Sequence, residues 1–329
     1  MATIDQAASA RTGIGVPARH RFGLALLLLA ACALPFVLSS YQTFQATMVL
    51  VYAIALLGLN ILTGFNGQIS LGHGAFYAIG AYTAAILIDQ SLVPYWATVP
   101  IAGFVCLVIG FLFGLPATRL TGLYLALATF ALAVATPQIL KYHGIEKWTG
   151  GSQGIILDKP AAPTFLPLTS DQWLYFVCLI VTVPMFVIGR NLLHGRTGRA
   201  LVAIRDHPIA AASMGIDTSF YKSMSFGVSA LYTGIAGALG AFVAGFVSPD
   251  SFMIFLSITL LVGMLVGGVG SIAGAFFGAV FIEFVPNLAD QISKAAPWAI
   301  YGVFLIGFMY LMPSGVAGLI RYWTSRLKL

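Results

Sequence analysis

Ten apolar stretches almost free of charge, near residues 22–40, 44–62, 74–90, 93–115, 120–140, 172–189, 222–247, 252–270, 271–287 and 297–314, constrain this chain more than any other feature. A bilayer span needs about 20 apolar residues. Backbone amides in hydrocarbon find no water, so only helices and closed barrels cross it. None of the stretches shows the in/out alternation of a barrel strand. The fold class is therefore all-α: a polytopic helical membrane protein of about ten transmembrane helices. Of the 329 residues, 59% are apolar and 8% charged, which leaves no polar stretch long enough for a separate soluble domain. The organisation that follows is an N-terminal tail over 1–21, a transmembrane domain over 22–314 and a C-terminal tail over 315–329.

The net charge of +6 comes from 16 basic and 10 acidic residues. A nucleic-acid protein would gather the basic ones on a folded surface, whereas here they fall between the spans. With the N-terminus inside and ten spans, Arg11, Arg19, Arg21, Arg119, Arg190, Arg196, Arg199, Arg205, Lys222, Arg321, Arg326 and Lys328 lie on the cytoplasmic side. Lys141, Lys147, Lys159 and Lys294 lie outside. This bias follows the positive-inside rule and places both termini in the cytoplasm.

Leu29-Ala30-Ala31-Cys32 after Arg19 and Arg21 looks like a lipoprotein cleavage site. Cleavage there would remove the first span, so the uncut reading is preferred. Cys32, Cys106 and Cys178 all lie in apolar runs and read as small buried hydrophobes. Small residues four apart, Gly110 with Gly114, Gly263 with Gly267, and Gly270, Gly274 and Gly278, permit close helix approach, as static packing or as a sliding contact.

The stretch Thr63-Gly-Phe-Asn-Gly-Gln-Ile-Ser-Leu-Gly-His-Gly74 breaks the second span at its cytoplasmic end. Four glycines among Asn66, Gln68, Ser70 and His73 do not make a lipid-facing helix. Irregular backbone at this depth is buried in protein or lines a wet cavity, so structural turns and a substrate path stay open together. A second break, Gly267-Gly-Val-Gly-Ser271, falls at the same side. The longest cytoplasmic stretch lies between spans, within a loop over 190–221. There Pro208 suits the first position of a short helix and Gly215 the position past its end. Ile209, Ala212 and Met214 are then available to a partner. The external loop over 141–171 holds Trp148-Thr-Gly-Gly-Ser-Gln-Gly154 with Pro160, Pro163 and Pro167, and reads equally as a lid or as a packed cap. His143 has no partner at metal spacing, and no metal site is expected.

Together these segments resemble a known family. Gly58-Leu-Asn-Ile-Leu-Thr-Gly-Phe-Asn-Gly-Gln-Ile-Ser-Leu-Gly-His-Gly-Ala-Phe-Tyr-Ala-Ile-Gly-Ala-Tyr82 resembles the signature of branched-chain amino-acid ABC transporter permeases, the LivH/LivM family. Thr121-Gly-Leu-Tyr-Leu-Ala-Leu-Ala-Thr129, Trp148 to Gly154, Gly198-Arg-Ala-Leu-Val-Ala-Ile-Arg205 and Gly267-Gly-Val-Gly-Ser-Ile-Ala-Gly-Ala275 are similar to its LivM branch in order and spacing. The resemblance runs from about residue 45 to 312. It implies a bacterial inner-membrane permease that pairs with a homologous second permease, two cytoplasmic ATPases and a periplasmic binding protein. It also makes 208–215 a coupling helix, similar to the Glu-Ala-Ala-x-x-x-Gly loop of ABC permeases. Ala210, Ala211 and Gly215 match that loop, while Ile209 stands in place of the Glu. On this reading the coupling residues are Arg199, Arg205, Asp206, Pro208, Ile209, Ala210, Ala211 and Gly215. The pathway candidates are Asn60, Asn66, Gly67, Gln68, Ser70 and His73.

The sequence has no G-x-x-x-x-G-K-[ST], no HExxH and no Ser, His and Asp set in a polar pocket. No catalytic residue or cofactor is therefore expected in this chain, and ATP would be bound by partner subunits. Glu283 is the acidic residue well inside a span, about one turn from its outer end, where it can snorkel or serve function. The expected function is the membrane subunit of an ATP-driven importer of branched-chain or related amino acids. The alternative is an ion-coupled secondary transporter of small amino acids or carboxylates, for which midplane ionisable groups are few.

Overall fold

The computed structural model describes residues 18–163, 167–292, 294, 297–312 and 314–326. Each of the ten apolar stretches falls on a helix. These are α1 (Ala18–Val37), α2 (Ser40–Leu59), α3 (His73–Asp89), α4 (Tyr95–Ala117), α5 (Leu123–Leu140), α7 (Ser170–His194), α10 (Thr218–Ala244), α11 (Ile254–Gly267), α12 (Ile272–Ile292) and α13 (Pro297–Leu311). Short helices join them: α6 (Glu146–Thr149), α8 (Arg196–Asp206), α9 (Pro208–Ser213) and α14 (Gly315–Arg326). Among the described residues, eight helical segments are long and apolar enough to cross a membrane. Of the remaining two, α3 has only 17 residues and starts inside the bundle. The residues expected as a C-terminal tail begin as α14, and residues 1–17 of the expected N-terminal tail lie outside the described residues.

The centre of the bundle is α10, packed against α4, α3 and α2. α7 and α12 cover other sides of α2, while α11 pairs with α12. Close approach depends on missing side chains. A Cβ at Gly80 would collide with the Gly234 carbonyl, so α3 and α10 touch backbone to backbone. The small-residue spacing has the same basis. Gly263 and Gly267 of α11 face Gly278 and Gly274 of α12, and Gly110 and Gly114 of α4 lie on α10. Cys106 and Cys178 are buried and Cys32 is exposed, all three as free thiols. Residues 28–32 sit within α1, which Tyr175 of α7 joins by donating to the Ala31 carbonyl at 2.9 Å.

Two features depart from the sequence expectation. α12 runs on to Ile292, so Glu283 is twelfth of its 21 residues and far from the end where snorkelling is easy. The external loop is stitched to the bundle: β1 (Ile155–Ile156) pairs antiparallel with β2 (Phe246–Val247), and Lys141 meets Asp250 at 2.6 Å. Two hydrophobic residues in each strand had given no alternating pattern to detect. His143 does have a carboxylate neighbour, Glu146 Oε2 at 2.9 Å on an exposed turn. Among the described residues no group of three or more His, Cys, Asp or Glu is placed to hold a metal.

Candidate functional site

α2 does not stop at Leu59 but widens into a π-helical turn, Asn60–Phe65. Such turns free a backbone position for other contacts. Here the Asn60 side chain leaves α2 for the second break. Its Nδ2 donates to the Ser271 carbonyl at 2.7 Å, and its Oδ1 accepts from the Gly270 amide at 2.8 Å. Gly64 leaves room for this, since a Cβ there would overlap Asn60 Oδ1. One amide side chain thus joins the two glycine-rich breaks.

After Phe65 the chain turns at Gly67, whose φ of +73° suits glycine. From there to Gly72 it has no regular secondary structure, and burial alternates. Asn66, Gln68 and Ser70 are buried, whereas Ile69 is 48% exposed. The buried side faces α10. Asn66 Nδ2 donates to Gln68 Oε1 and to Ser225 Oγ, each at 2.6 Å. Asn66 Oδ1 is buried with no partner among the described residues.

At the start of α3 the contacts form an ordered relay. Ser229 Oγ donates to the Gly58 carbonyl at 2.6 Å, which uses its one proton. His73 Nε2, 2.6 Å from that oxygen, must therefore be the donor, leaving Nδ1 to accept from Ser70 Oγ at 3.1 Å. Ser70 Oγ in turn accepts from the Gly72 amide at 3.2 Å. The imidazole is held at both nitrogens. Gly74 N donates to Ser257 Oγ at 2.9 Å, and Leu71 N to Thr129 Oγ1 at 2.9 Å, so protein groups occupy the half-helix N-terminus.

The pathway candidates thus lie together, but their side chains mostly turn into this chain. The surface they leave open is Gly67 and Ile69. The sequence reading passed over Ser225 and Ser229. With Thr233 they form an i, i+4 polar stripe along the middle of α10, a signal visible in the sequence.

The 190–221 loop is shorter than expected because α7 extends to His194 and α10 starts at Thr218. Pro208 is the first residue of α9 as expected. Gly215, at φ +82°, ends it: its amide bonds the Ala212 carbonyl and the Ile216 amide bonds the Ala211 carbonyl, a Schellman close. Ile209 and Met214 are 83% and 84% exposed, and Ala210 is exposed too. Ala211 turns inward and is buried. Arg199 stays at the surface, its Nη1 3.4 Å from the His194 carbonyl. Arg205 reaches inward, with Nε on Asp206 Oδ1 and Nη1 on the Gly64 carbonyl, both at 2.9 Å.

Residues 43–313 match the family model described as "Branched-chain amino acid transport system / permease component". The chain is 34% identical to the high-affinity branched-chain amino acid transport system permease protein LivM of Salmonella typhimurium, over 93% of this chain and 77% of that protein. It is 23% identical to the corresponding LivH protein of Escherichia coli, over 81% of this chain and 91% of that one. A more distant relative is the autoinducer 2 import system permease protein LsrC of Salmonella paratyphi B, 24% identical over 86% of this chain and 83% of that protein. No solved structure matches the chain.

Proposed function

The chain belongs to the family of permease components of branched-chain amino acid transport systems, and from that premise we propose that it is the membrane-spanning subunit of an ATP-driven ABC importer. Its cargo is a branched-chain or related amino acid, carried along a path shared with a homologous second permease. Two cytoplasmic ATPases drive it and a periplasmic binding protein supplies it. It is a multi-pass protein of the bacterial inner membrane, with both termini cytoplasmic.

The observation that carries this reading is α9. An apolar pair 83% and 84% exposed, at the two ends of a short helix between α8 and α10, is what a separate motor subunit needs to grip. Arg199, Arg205, Asp206, Pro208, Ile209, Ala210, Ala211 and Gly215 lie on or beside α8 and α9. Of these, Ile209, Ala210 and the neighbouring Met214 form the contact surface, while Ala211 supports it from behind. Asn60, Asn66, Gly67, Gln68, Ser70 and His73 border the path. Gly67 and Ile69 face it, and the polar side chains hold its wall.

The relatives include transporters named for different solutes, so the permease fold alone does not select the cargo. The test is uptake into proteoliposomes by the reconstituted five-part complex with a panel of amino acids. ATP-dependent uptake of leucine, isoleucine or valine is the expected result; uptake driven by an ion gradient without the ATPases would favour the secondary-transporter alternative. For orientation, a Cys replacing Ser152 should label with an impermeant thiol reagent from the periplasm and one replacing Ser213 should not. Both positions are exposed, so an inverted pattern would reverse the topology.

A further inference from the structure

We propose that Arg205 is a positioning residue that links α9 to both glycine-rich breaks, and that it works by gripping the end of α2 and not by touching a partner subunit; this rests on the permease reading above. The grip has three parts. Nη1 donates to the Gly64 carbonyl at 2.9 Å. Gly64 is the penultimate residue of the π turn, where unpaired carbonyls and the negative helix end favour a cation. The aliphatic stem lies against Gly67, since a Cβ there would come within 2.7 Å of Arg205 Cγ. The guanidinium also borders the second break, with a Cβ at Gly270 placed 4.0 Å from Nη1.

Two segments far apart in sequence, 60–72 and 267–271, therefore meet at one side chain, and Asn60 already ties them together. Arg205 is also separated from α9 only by Asp206 and His207. Asp206 Oδ1 accepts from Nε at 2.9 Å, which fixes the plane of the fork. A displacement of α9 is thus passed to the end of α2 through a rigid planar group. Lysine has no such fork and cannot hold both acceptors in one plane. Arg199, six residues earlier, makes one longer bond of 3.4 Å to the His194 carbonyl, which ties it to α7 and to neither break.

The test compares Arg205→Gln, Arg205→Lys and the exposed control Arg119→Gln in the assembled complex. Hydrogen–deuterium exchange over 60–72 and 267–271 should quicken about tenfold in Arg205→Gln, the scale of one lost charge-assisted hydrogen bond. Arg205→Lys should fall between, and Arg119→Gln should match wild type. A Cys at Ile209 should still cross-link to the ATPase in Arg205→Gln, while solute moved per ATP hydrolysed falls about tenfold. Loss of the cross-link with unchanged exchange would make Arg205 a partner contact and overturn the proposal. Faster exchange with an unaltered transport-to-hydrolysis ratio would reduce it to a helix cap and overturn it as well. A wild-type complex without ATP-driven uptake would fail the permease reading instead. That failure is distinguishable, because the exchange contrast between Arg205→Gln and Arg119→Gln is read without transport.

Discussion

Between α2 and α3 the chain hides its polar side chains, with Asn66, Gln68, Ser70 and His73 all buried, whereas α9 leaves the apolar Ile209 and Met214 in the open. Both segments are short links between longer helices, yet their burial is reversed. The difference lies in where each finds its partner. The α2–α3 segment meets Ser225 and Ser229 of its own chain, so burying polar groups carries little penalty once they are bonded. α9 has packed its small inward residue, Ala211, and kept its large apolar ones outward. A buried polar cluster with its bonds largely made marks a finished internal joint, and an exposed apolar pair marks one still to be made.

The largest contrast should come from thiol labelling along residues 66–72. Cys at Ile69 should react with a small polar reagent on the order of 100-fold faster than Cys at Ser70, because the latter has to wait for local opening. Equal rates would mean that the polar face is wet, and the comparison with α9 would collapse. His73→Ala should lower stability by about 3 kcal/mol, read as a drop in melting temperature in detergent, since it leaves a cavity and strips Ser70 and Ser229 of a partner. An unchanged melting temperature would show that the relay does not hold the joint.

Ile209→Asp tests the other side. Melting should stay unchanged while affinity for the ATPases falls roughly 30-fold, about 2 kcal/mol, from a charge placed in an apolar contact. A variant that melts early but still assembles would move Ile209 into the internal packing. The smallest effect is expected for Asn66→Leu, about 1 kcal/mol of stability. It loses two hydrogen bonds but also removes the buried Oδ1 that has no partner among the described residues. A collapse of uptake with stability intact would return Asn66 to the path surface.

Hydropathy located all ten helices because each span is a long run with few charges, and Pro208 and Gly215 marked the ends of α9 through fixed backbone preferences. Other features depended on contacts far apart in sequence. Burial alternates over residues 66–72, and nothing in that stretch says which side meets α10. The stripe Ser225, Ser229 and Thr233 carries that answer on the other helix. Ala211 was matched to a coupling motif by its type, but six residues of helix give too few turns to assign its inward face in advance. The β1–β2 pair, at two residues per strand, falls below any periodic signal. Arg205 looked like its neighbour Arg199 in sequence, and only the position of the Gly64 carbonyl separates them.

The place of α10 in the chain order has a consequence for how the protein is made. The helix that pairs with Asn66 and His73 and packs against α2, α3 and α4 begins only at Thr218. At about 5–20 residues per second of synthesis, the start of α3 precedes its partner by on the order of ten seconds. During that wait the emerging helices hold Asn66, Gln68 and His73 without their final partners, in a setting where an unpaired polar group is costly. Newly made segments must therefore be sheltered at the insertion site or remain loosely associated until residue 244 has entered. A nascent chain stopped before α10 should be the species most readily taken by membrane proteases.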